Sequence, residues 1–321
     1  MGKKKNRKSQ SFLMGKENKK TQLPSLLTTQ NVHNAEQSIF WPLESRTKTM
    51  FAPVLVNKCI LASNYGWLVL VDKHKGDCCL WNPGSNDIIE LPFLDKCYLY
   101  IKCVLSKPPT ESDCHILFNS SSNMQSFCKI GDVEYVHSSP KEYRLVAVAS
   151  FQGKIYGVMN PGYKFVTIEF VERTIEFRPM LNNKEQPWTA PIINRDWAMR
   201  HDNELIGSRD ELLLVIKGYM HNNYYIVDGS EYRVFRVDIN RMECTELDGI
   251  GDHAILFNYY GNGYYCSSSG TSSIKPNSIY YTSNFGAHLY VYDLDDNSTI
   301  TWLPPHVENF KYANSFWVNL D

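Results

Sequence analysis

The stretch from Tyr65 to Leu94, YGWLVLVDKHKGDCCLWNPGSNDIIELPFL, decides the fold. It contains three short apolar runs, separated by a Lys-Gly-Asp turn at 75–77 and an Asn-Pro-Gly turn at 82–84. Tight turns favour glycine, proline, asparagine and aspartate, and short apolar runs between such turns are typical of strands. The stretch therefore predicts a meander of three antiparallel strands.

Comparable meanders recur at 153–179, 210–247 and 278–304. Their turns can be aligned as WNPGSNDIIELP at 81–92, VDINRMECTELD at 237–248 and YDLDDNSTITWLP at 292–304. In each turn an aromatic or β-branched residue precedes the Asn or Asp that begins it. A repeated all-β unit of roughly 40 to 50 residues is what radial stacking requires. We therefore predict an all-β β-propeller of about six small antiparallel blades, six or seven; a pair of β-sandwiches or a large barrel is the alternative.

Two further structural expectations follow from local composition. Residues 188–204 are the least strand-like part of the body and are predicted to form a long loop between units. Trp67, Trp81 and Trp302 lie within alternating strands and are predicted to fill space between blades.

Charge divides the chain into a basic leader and an acidic body. The 321 residues hold 33 basic and 34 acidic side chains, so the chain as a whole is not suited to coat nucleic acid or membrane. Residues 1–50 hold 10 basic and 3 acidic residues, a net charge of +7. Residues 51–321 hold the other 23 basic and 31 acidic residues, a net charge of −8. We predict a disordered basic tail at 1–22, a lead-in segment at 23–50 and the propeller domain at 51–321.

The basic cluster in the tail has more than one interpretation. It is a candidate nuclear-import signal or nucleic-acid contact, and a solvated tail is the alternative. Its residues are Lys3, Lys4, Lys5, Arg7 and Lys8.

Cysteine and histidine spacing predicts neither a metal site nor a bound cofactor. The nine cysteines form no C-x-x-C pair, and the nine histidines do not complete a zinc pattern. The N-terminus lacks the apolar stretch of a secretory signal, so free thiols in the nucleus or cytoplasm are expected. No apolar run is long enough to cross a bilayer, so no membrane partner is expected.

Several strings resemble the plant F-box-associated, KIB-type β-propeller family. They begin with ASNYGWLVLVD at 62–72 and CCLWNPGSNDIIELP at 78–92. Later strings agree in order and spacing: FQGKIYGV at 151–158, ELLLV at 211–215, VFRVDINRMECTELDGIGDHAIL at 234–256 and NSIYYTSNFGAHLYVYDLDD at 277–296. The likeness extends over nearly everything from Leu23 to about Pro305.

The resemblance implies the substrate-recognition subunit of a cullin-based ubiquitin ligase. In that family an F-box holds a Skp-type adaptor and the propeller captures a protein target, which in the named members includes shaggy-like kinases. Here LPSLL at 23–27 matches an F-box opening, but the following TTQNVHNAEQ has only Val32 and Ala35 as apolar residues. We interpret LPSLL as the start of the propeller domain. The F-box is therefore predicted to be missing, and this chain is not expected to bind the adaptor itself.

Motifs of catalysis are mostly absent. The phosphate-binding G-x-x-x-x-G-K-[ST] loop, H-E-x-x-H and G-x-S-x-G do not occur. Cys114 and His115 are adjacent, but neighbouring strand residues point to opposite faces, so a shared proton is not expected. Asp252 and His253 are predicted to orient a turn through structural hydrogen bonds. No catalytic residue is predicted, and the protein is not expected to be an enzyme.

The function predicted from these observations is a non-enzymatic protein-interaction propeller. Loop aromatics are over-represented among binding hot spots, and burial at a blade edge is the alternative for each one. The candidate partner-binding residues are Trp188, Trp197, Tyr224, Tyr225, Tyr259 and Tyr260. An enzyme acting at the propeller channel and a nucleic-acid-contacting protein acting through the basic tail are the alternative functions.

Overall fold

Six small β-sheets form a ring. The computed structural model describes residues 23–29, 33–72, 74–95, 100–120, 123–140, 142–191, 201–222, 225–258, 263–282, 289–302 and 314–318. In these residues the secondary structure consists of 25 strands and two 3-10 helices, Pro42–Glu44 and Pro53–Leu55. The predicted all-β propeller is confirmed, with six blades.

Blade 1 joins strands from both ends of the chain. Its strands are β1 (Ser25–Thr29), β2 (Glu36–Trp41), β3 (Arg46–Phe51) and β25 (Asn314–Val318). Their order is β25-β1-β2-β3, and Leu26 pairs with Trp317 on one side and with Phe40 on the other. Residues 23–50, predicted as a lead-in segment, thus contribute β1, β2 and most of β3 to the ring.

Blades 2 to 5 are four-stranded antiparallel meanders in which neighbouring strands follow one another in sequence. Blade 2 has β4 (Cys59–Asn64), β5 (Trp67–Val71), β6 (Cys78–Trp81) and β7 (Ile88–Leu91). Blade 3 has β8 (Tyr100–Leu105), β9 (His115–Ser120), β10 (Gln125–Lys129) and β11 (Val136–Ser138). Blade 4 has β12 (Arg144–Phe151), β13 (Lys154–Asn160), β14 (Lys164–Val171) and β15 (Thr174–Pro179). Blade 5 has β16 (His201–Gly207), β17 (Leu212–Asn222), β18 (Tyr225–Asp238) and β19 (Glu243–Leu247).

Blade 6 departs from this plan. It contains β20 (His253–Phe257), β21 (Gly263–Ser267), β22 (Ser278–Thr282), β23 (Leu289–Asp293) and β24 (Thr299–Trp302). The order is β21-β20-β22-β23-β24, and β20 pairs with β22 in parallel. The hairpin of β20 and β21 thus adds a fifth strand on the inner side of the sheet.

The aligned turns share one geometry. The side chains of Asn82, Asp238 and Asp293 each accept backbone N–H hydrogen bonds from residues two or three positions later, at 2.9 to 3.1 Å. This arrangement is why a short polar side chain begins each turn. The predicted meander at 65–94 is confirmed as β5, β6 and β7.

Buried clusters hold neighbouring blades together at all six seams. Strand β5 shows how one strand serves two seams, because Leu68 and Leu70 face blade 1 whereas Val69 and Val71 face blade 3. Both faces of this strand are buried, which explains its unbroken apolar run. The three tryptophans lie as predicted: Trp81 at the seam of blades 1 and 2, Trp67 at that of blades 2 and 3, and Trp302 at that of blades 6 and 1.

One part of the sequence-based interpretation is wrong. Residues 201–204, assigned to a long loop, form the first half of β16, the inner strand of blade 5. This part of the strand was not predicted because its residues are polar: His201, Asp202, Asn203 and Glu204. An inner strand beside the ring axis does not need the apolar alternation of a strand in a core.

Candidate functional site

The inner strands line the axis of the ring. They stand at one end of each sheet: β25, β4, β8, β12, β16 and β21. Polar side chains connect several of them. Asn258 forms a two-bond bridge to the backbone of Trp317, with its Nδ2 donating to the carbonyl at 2.9 Å and its Oδ1 accepting from the amide at 2.6 Å. This bridge joins blade 6 to blade 1.

Lys102 connects three blades at the axis. This residue lies on β8, and its Nζ donates to the Val146 carbonyl at 2.8 Å, to the Asn203 carbonyl at 3.0 Å and to Glu204 Oε1 at 2.8 Å. The two charged side chains are only 12% and 19% exposed. All three ammonium protons of Lys102 therefore have acceptors on blades 4 and 5, which is the arrangement of a structural tie.

Burial raises the pKa of Glu204, and the adjacent Lys102 opposes that shift. A carboxyl group with a raised pKa beside a channel is a feature that active sites share with structural ion pairs. Here two of the three ammonium protons of Lys102 bond to backbone carbonyls of blades 4 and 5, and the third bonds to Glu204 itself. The geometry therefore assigns this pair to holding the ring together.

Cys114 and His115 point away from each other, as expected. The Cys114 thiol is buried at the seam of blades 2 and 3 and donates to the Lys107 carbonyl at 3.0 Å, and its burial raises its pKa. The ring of His115 stacks on Phe170 of blade 4 at a centroid distance of 4.4 Å, and burial lowers the pKa of this imidazole. Because the thiol and the imidazole lie at different seams, the imidazole cannot accept the thiol proton, and the two do not form a nucleophile and its base.

Asp252 and His253 make the structural contacts predicted for them. His253 Nδ1 lies 2.8 Å from Asp252 Oδ1, and Ser269 donates to the same carboxylate at 3.0 Å. The Ser269 bond is the main reason why the pKa of Asp252 is lowered. The serine hydroxyl contacts the carboxylate and not the imidazole, so this arrangement differs from a catalytic triad.

The residues that the structure describes contain no cluster of three or more side chains suited to hold a metal ion. Within the same residues, no helix has the length and apolar character needed to cross a membrane.

Of the candidate partner-binding aromatics, the structure describes one side chain. Trp188 is buried and stacks on Phe165 at 4.1 Å, within the cluster between blades 4 and 5. Tyr225 begins β18, but its side chain lies outside the described part, as do Trp197, Tyr224, Tyr259 and Tyr260. The import candidates Lys3, Lys4, Lys5, Arg7 and Lys8 also lie outside it. Partner binding by these aromatics and import through the basic cluster stay predictions.

Sequence reasoning missed a surface at the seam of blades 3 and 4, which we call the blade 3/4 surface. Val133, in the turn before β11, is 92% exposed, and Val171, at the end of β14, is 37% exposed. Glu134 follows Val133 directly and forms an ion pair with Arg173, two residues after Val171. This pair joins the two chain segments that carry these valines, one on blade 3 and one on blade 4. The surface comprises His115, Val133, Glu134, Phe170, Val171 and Arg173.

The blade 3/4 surface has the composition of a protein-binding patch. It contains two exposed aliphatic side chains, a half-buried aromatic ring and an exposed arginine–glutamate pair. No sequence signal marks it, because isolated valines in turns are common and only the fold brings 133 and 171 together.

The fold defines a class of protein, the six-bladed β-propeller. The family model of the KIB1-4 beta-propeller matches residues 31–303, and this chain belongs to that family. The resemblance seen in the sequence is thereby confirmed.

A curated relative is the F-box protein At4g00893 from Arabidopsis thaliana. It is 34% identical over 76 residues, which are 24% of this chain and 19% of that protein. The match therefore spans less than a quarter of either chain.

Solved structures of similar shape include the Myceliophteria thermophila Cps50 (Swd1) beta-propeller domain, with 12% identity, coverage of 88% of this chain and 86% of that one, and a TM-score of 0.35. A second is the nidogen/laminin complex, with 10% identity, coverage of 92% and 96%, and a TM-score of 0.41. Both TM-scores are low, and neither similarity supports a functional conclusion.

Proposed function

We propose that this chain is a non-enzymatic recognition propeller that binds a protein target through the blade 3/4 surface. The observation that carries the proposal is the ion pair between Glu134 and Arg173, which links segments of blades 3 and 4 that also carry the exposed Val133 and Val171. Membership in the KIB1-4 beta-propeller family supports it, since the F-box relative from Arabidopsis contains a similar segment.

The finer part of the proposal is a role in target recognition for ubiquitin ligases in the nucleus or cytoplasm. A kinase is the first target to test, because the family resemblance implies one. The Skp-type adaptor is a separate partner, and we propose that this chain does not bind it directly. Target binding and adaptor binding are therefore tested independently.

The test uses the purified full chain as bait in plant extract, beside a Val133→Glu/Val171→Glu double variant. Both valines are exposed, so the double variant keeps its fold while placing charge in the contact surface. Ile88→Glu is the matched control, because Ile88 is 48% exposed on the rim of blade 2. Mass spectrometry identifies the retained proteins, and calorimetry then measures binding of the purified target.

The proposal predicts a target retained by the wild-type chain and by Ile88→Glu but lost with the double variant, at a cost of at least tenfold in affinity, about 1.4 kcal/mol. Equal retention by all three baits would contradict binding through this surface. Turnover of a small metabolite by the purified chain would contradict the non-enzymatic role. An adaptor that binds the pure chain directly would overturn only the adaptor part.

A further inference from the structure

The outer edges of blades 3 and 6 lack the charges that the other four blade edges carry. The outermost strand of blade 6, β24, reads TITW, whereas the outermost strands of blades 1, 2, 4 and 5 each contain Lys, Arg or Glu. Ile300 at its centre is 58% exposed. Among the described residues no strand pairs with the outer side of β24. An uncharged open edge is a template for an added strand, because charged side chains are what normally block such pairing.

An acidic turn adjoins this edge. The sequence Asp293-Leu294-Asp295-Asp296 lies at the end of β23 and in the turn that leads to β24, and both Asp295 and Asp296 are exposed. Lys275 pairs with Asp293, which leaves two carboxylates in excess. Hydrogen bonds from Ser298 lower the pKa of Asp296, so this group stays ionised at neutral pH. The edge therefore favours a strand that is flanked by positive charge.

The N-terminal segment leaves the ring beside blade 6. Leu23 is buried in the same cluster as Ile274, and Trp302 at the end of β24 packs against that cluster. Thr271 of blade 6 donates to the Pro42 carbonyl of blade 1 at 2.6 Å, at the end of blade 1 where β1 begins. Residues 1–22 precede this point and could extend over about 70 Å, which easily reaches β24.

The segment has the sequence that such an edge would accept. Residues 1–22 hold eight basic side chains and one acidic one, and SQSFLM at 9–14 lies between Lys8 and Lys16. We propose that residues 9–14 add as a further strand to the outer edge of β24, with the flanking basic residues beside the Asp293–Asp296 turn. The tether raises the effective concentration of the segment to the millimolar range, so a weak contact suffices.

The test measures trypsin cleavage after Lys8 and Lys16 in the full chain. Ile300→Lys places a charge on the edge, and Ile88→Lys is its matched control on β7 of blade 2. The proposal predicts cleavage about tenfold slower in the wild-type chain and in Ile88→Lys than in Ile300→Lys, because only the undocked tail is cut. High salt should abolish this difference, since it screens the charge attraction.

Hydrogen exchange supplies an independent readout. Backbone amides at 9–14 and 299–302 should both exchange faster in Ile300→Lys than in Ile88→Lys. Equal cleavage and equal exchange in the two variants would overturn the proposal. Protection that grows with protein concentration would overturn it as well, because the bound tail would then belong to a second copy.

Discussion

Gly207 lies where the inner strand of blade 5 runs close to the backbone of Ser150 in the inner strand of blade 4. A Cβ at this position would clash with the Ser150 carbonyl, a backbone atom that cannot move aside. The φ angle of Gly207 is not in the left-handed region, so the close approach alone requires glycine.

Gly207→Ala should therefore destabilise the protein, by about 1–3 kcal/mol in denaturant unfolding, as overpacking does. Gly263→Ala is the control on another inner strand. Its Cβ would meet only side-chain carbons of Phe257 and Ile206, at 3.0 to 3.1 Å, which can shift. An equal loss in the two variants would argue against the close approach as the cause.

Lys102→Met should cost about 3 kcal/mol of unfolding free energy, because it leaves Glu204 buried without its partner. The cost should shrink as the pH falls. Burial already raises the pKa of Glu204, and loss of Lys102 raises it further. Between the pKa of Glu204 in the unfolded state and its higher pKa in the folded state, the native protein binds more protons than the unfolded protein. The free energy of unfolding therefore rises as the pH is lowered through this range.

The control is Lys102→Met combined with Glu204→Gln, which removes the titrating group. Unfolding free energies measured from neutral to acidic pH should show the pH dependence in the single variant and lose it in the double variant. The same pH dependence in both would contradict the assignment to Glu204.

At the scale of elements, the repeated turn contains a residue in the left-handed backbone region whose side chain also hydrogen-bonds to the preceding strand. Asn86 and Asn297 occupy the same turn position in blades 2 and 6, with φ angles of 63° and 59°. Asn86 Oδ1 accepts from Trp81 Nε1 at 3.1 Å, and Asn297 Oδ1 accepts from the Tyr292 hydroxyl at 2.7 Å. The residue before the turn is aromatic in both blades, so turn and strand are connected by one hydrogen bond.

Asn86→Ala and Asn86→Gly separate these two contributions. Alanine loses both the left-handed preference and the hydrogen bond, which predicts a loss of about 2 kcal/mol. Glycine keeps the backbone freedom and loses only the bond, which predicts about 1 kcal/mol. The denaturant midpoints of both variants measure these two losses of stability. A glycine variant less stable than the alanine variant would contradict this explanation.

The predictability of each element depends on how local its signals are. The meander at 65–94 was readable because turn residues and apolar runs lie next to one another in sequence. Strand β16 was not predicted, because its first four residues are polar and give no apolar pattern. Strand β1 was readable only as the start of a domain, since its pairing with β25 joins Leu26 to Trp317 from the opposite end of the chain.

The candidate site was less predictable than the fold. Loop aromatics were the predicted partner-binding residues, yet Trp188 is buried between blades 4 and 5. The blade 3/4 surface depends on an ion pair between residues 134 and 173, and no local pattern signals that these turns are neighbours. Such a surface follows from ring geometry, which sequence periodicity does not specify.

At the scale of the whole molecule, the ring is stabilised by six seams and closed by one pairing. Trp317 is fully buried at the closing seam, and both its backbone groups bond to Asn258. We expect a ring closed in this way to unfold as a unit, because opening any seam exposes the apolar faces of two blades.

Native-state hydrogen exchange of the full chain tests this closure most directly. The backbone amides of Leu26, Leu27, Thr28 and Phe316 lie where β1 pairs with β25 and β2, and the amide of Trp317 donates to Asn258. The hydrogen-bonded amides in this set should exchange only through global unfolding, with the same free energy as those of β17 in blade 5. Fast exchange in β1 and β25 while β17 stays protected would contradict a ring that both ends of the chain close.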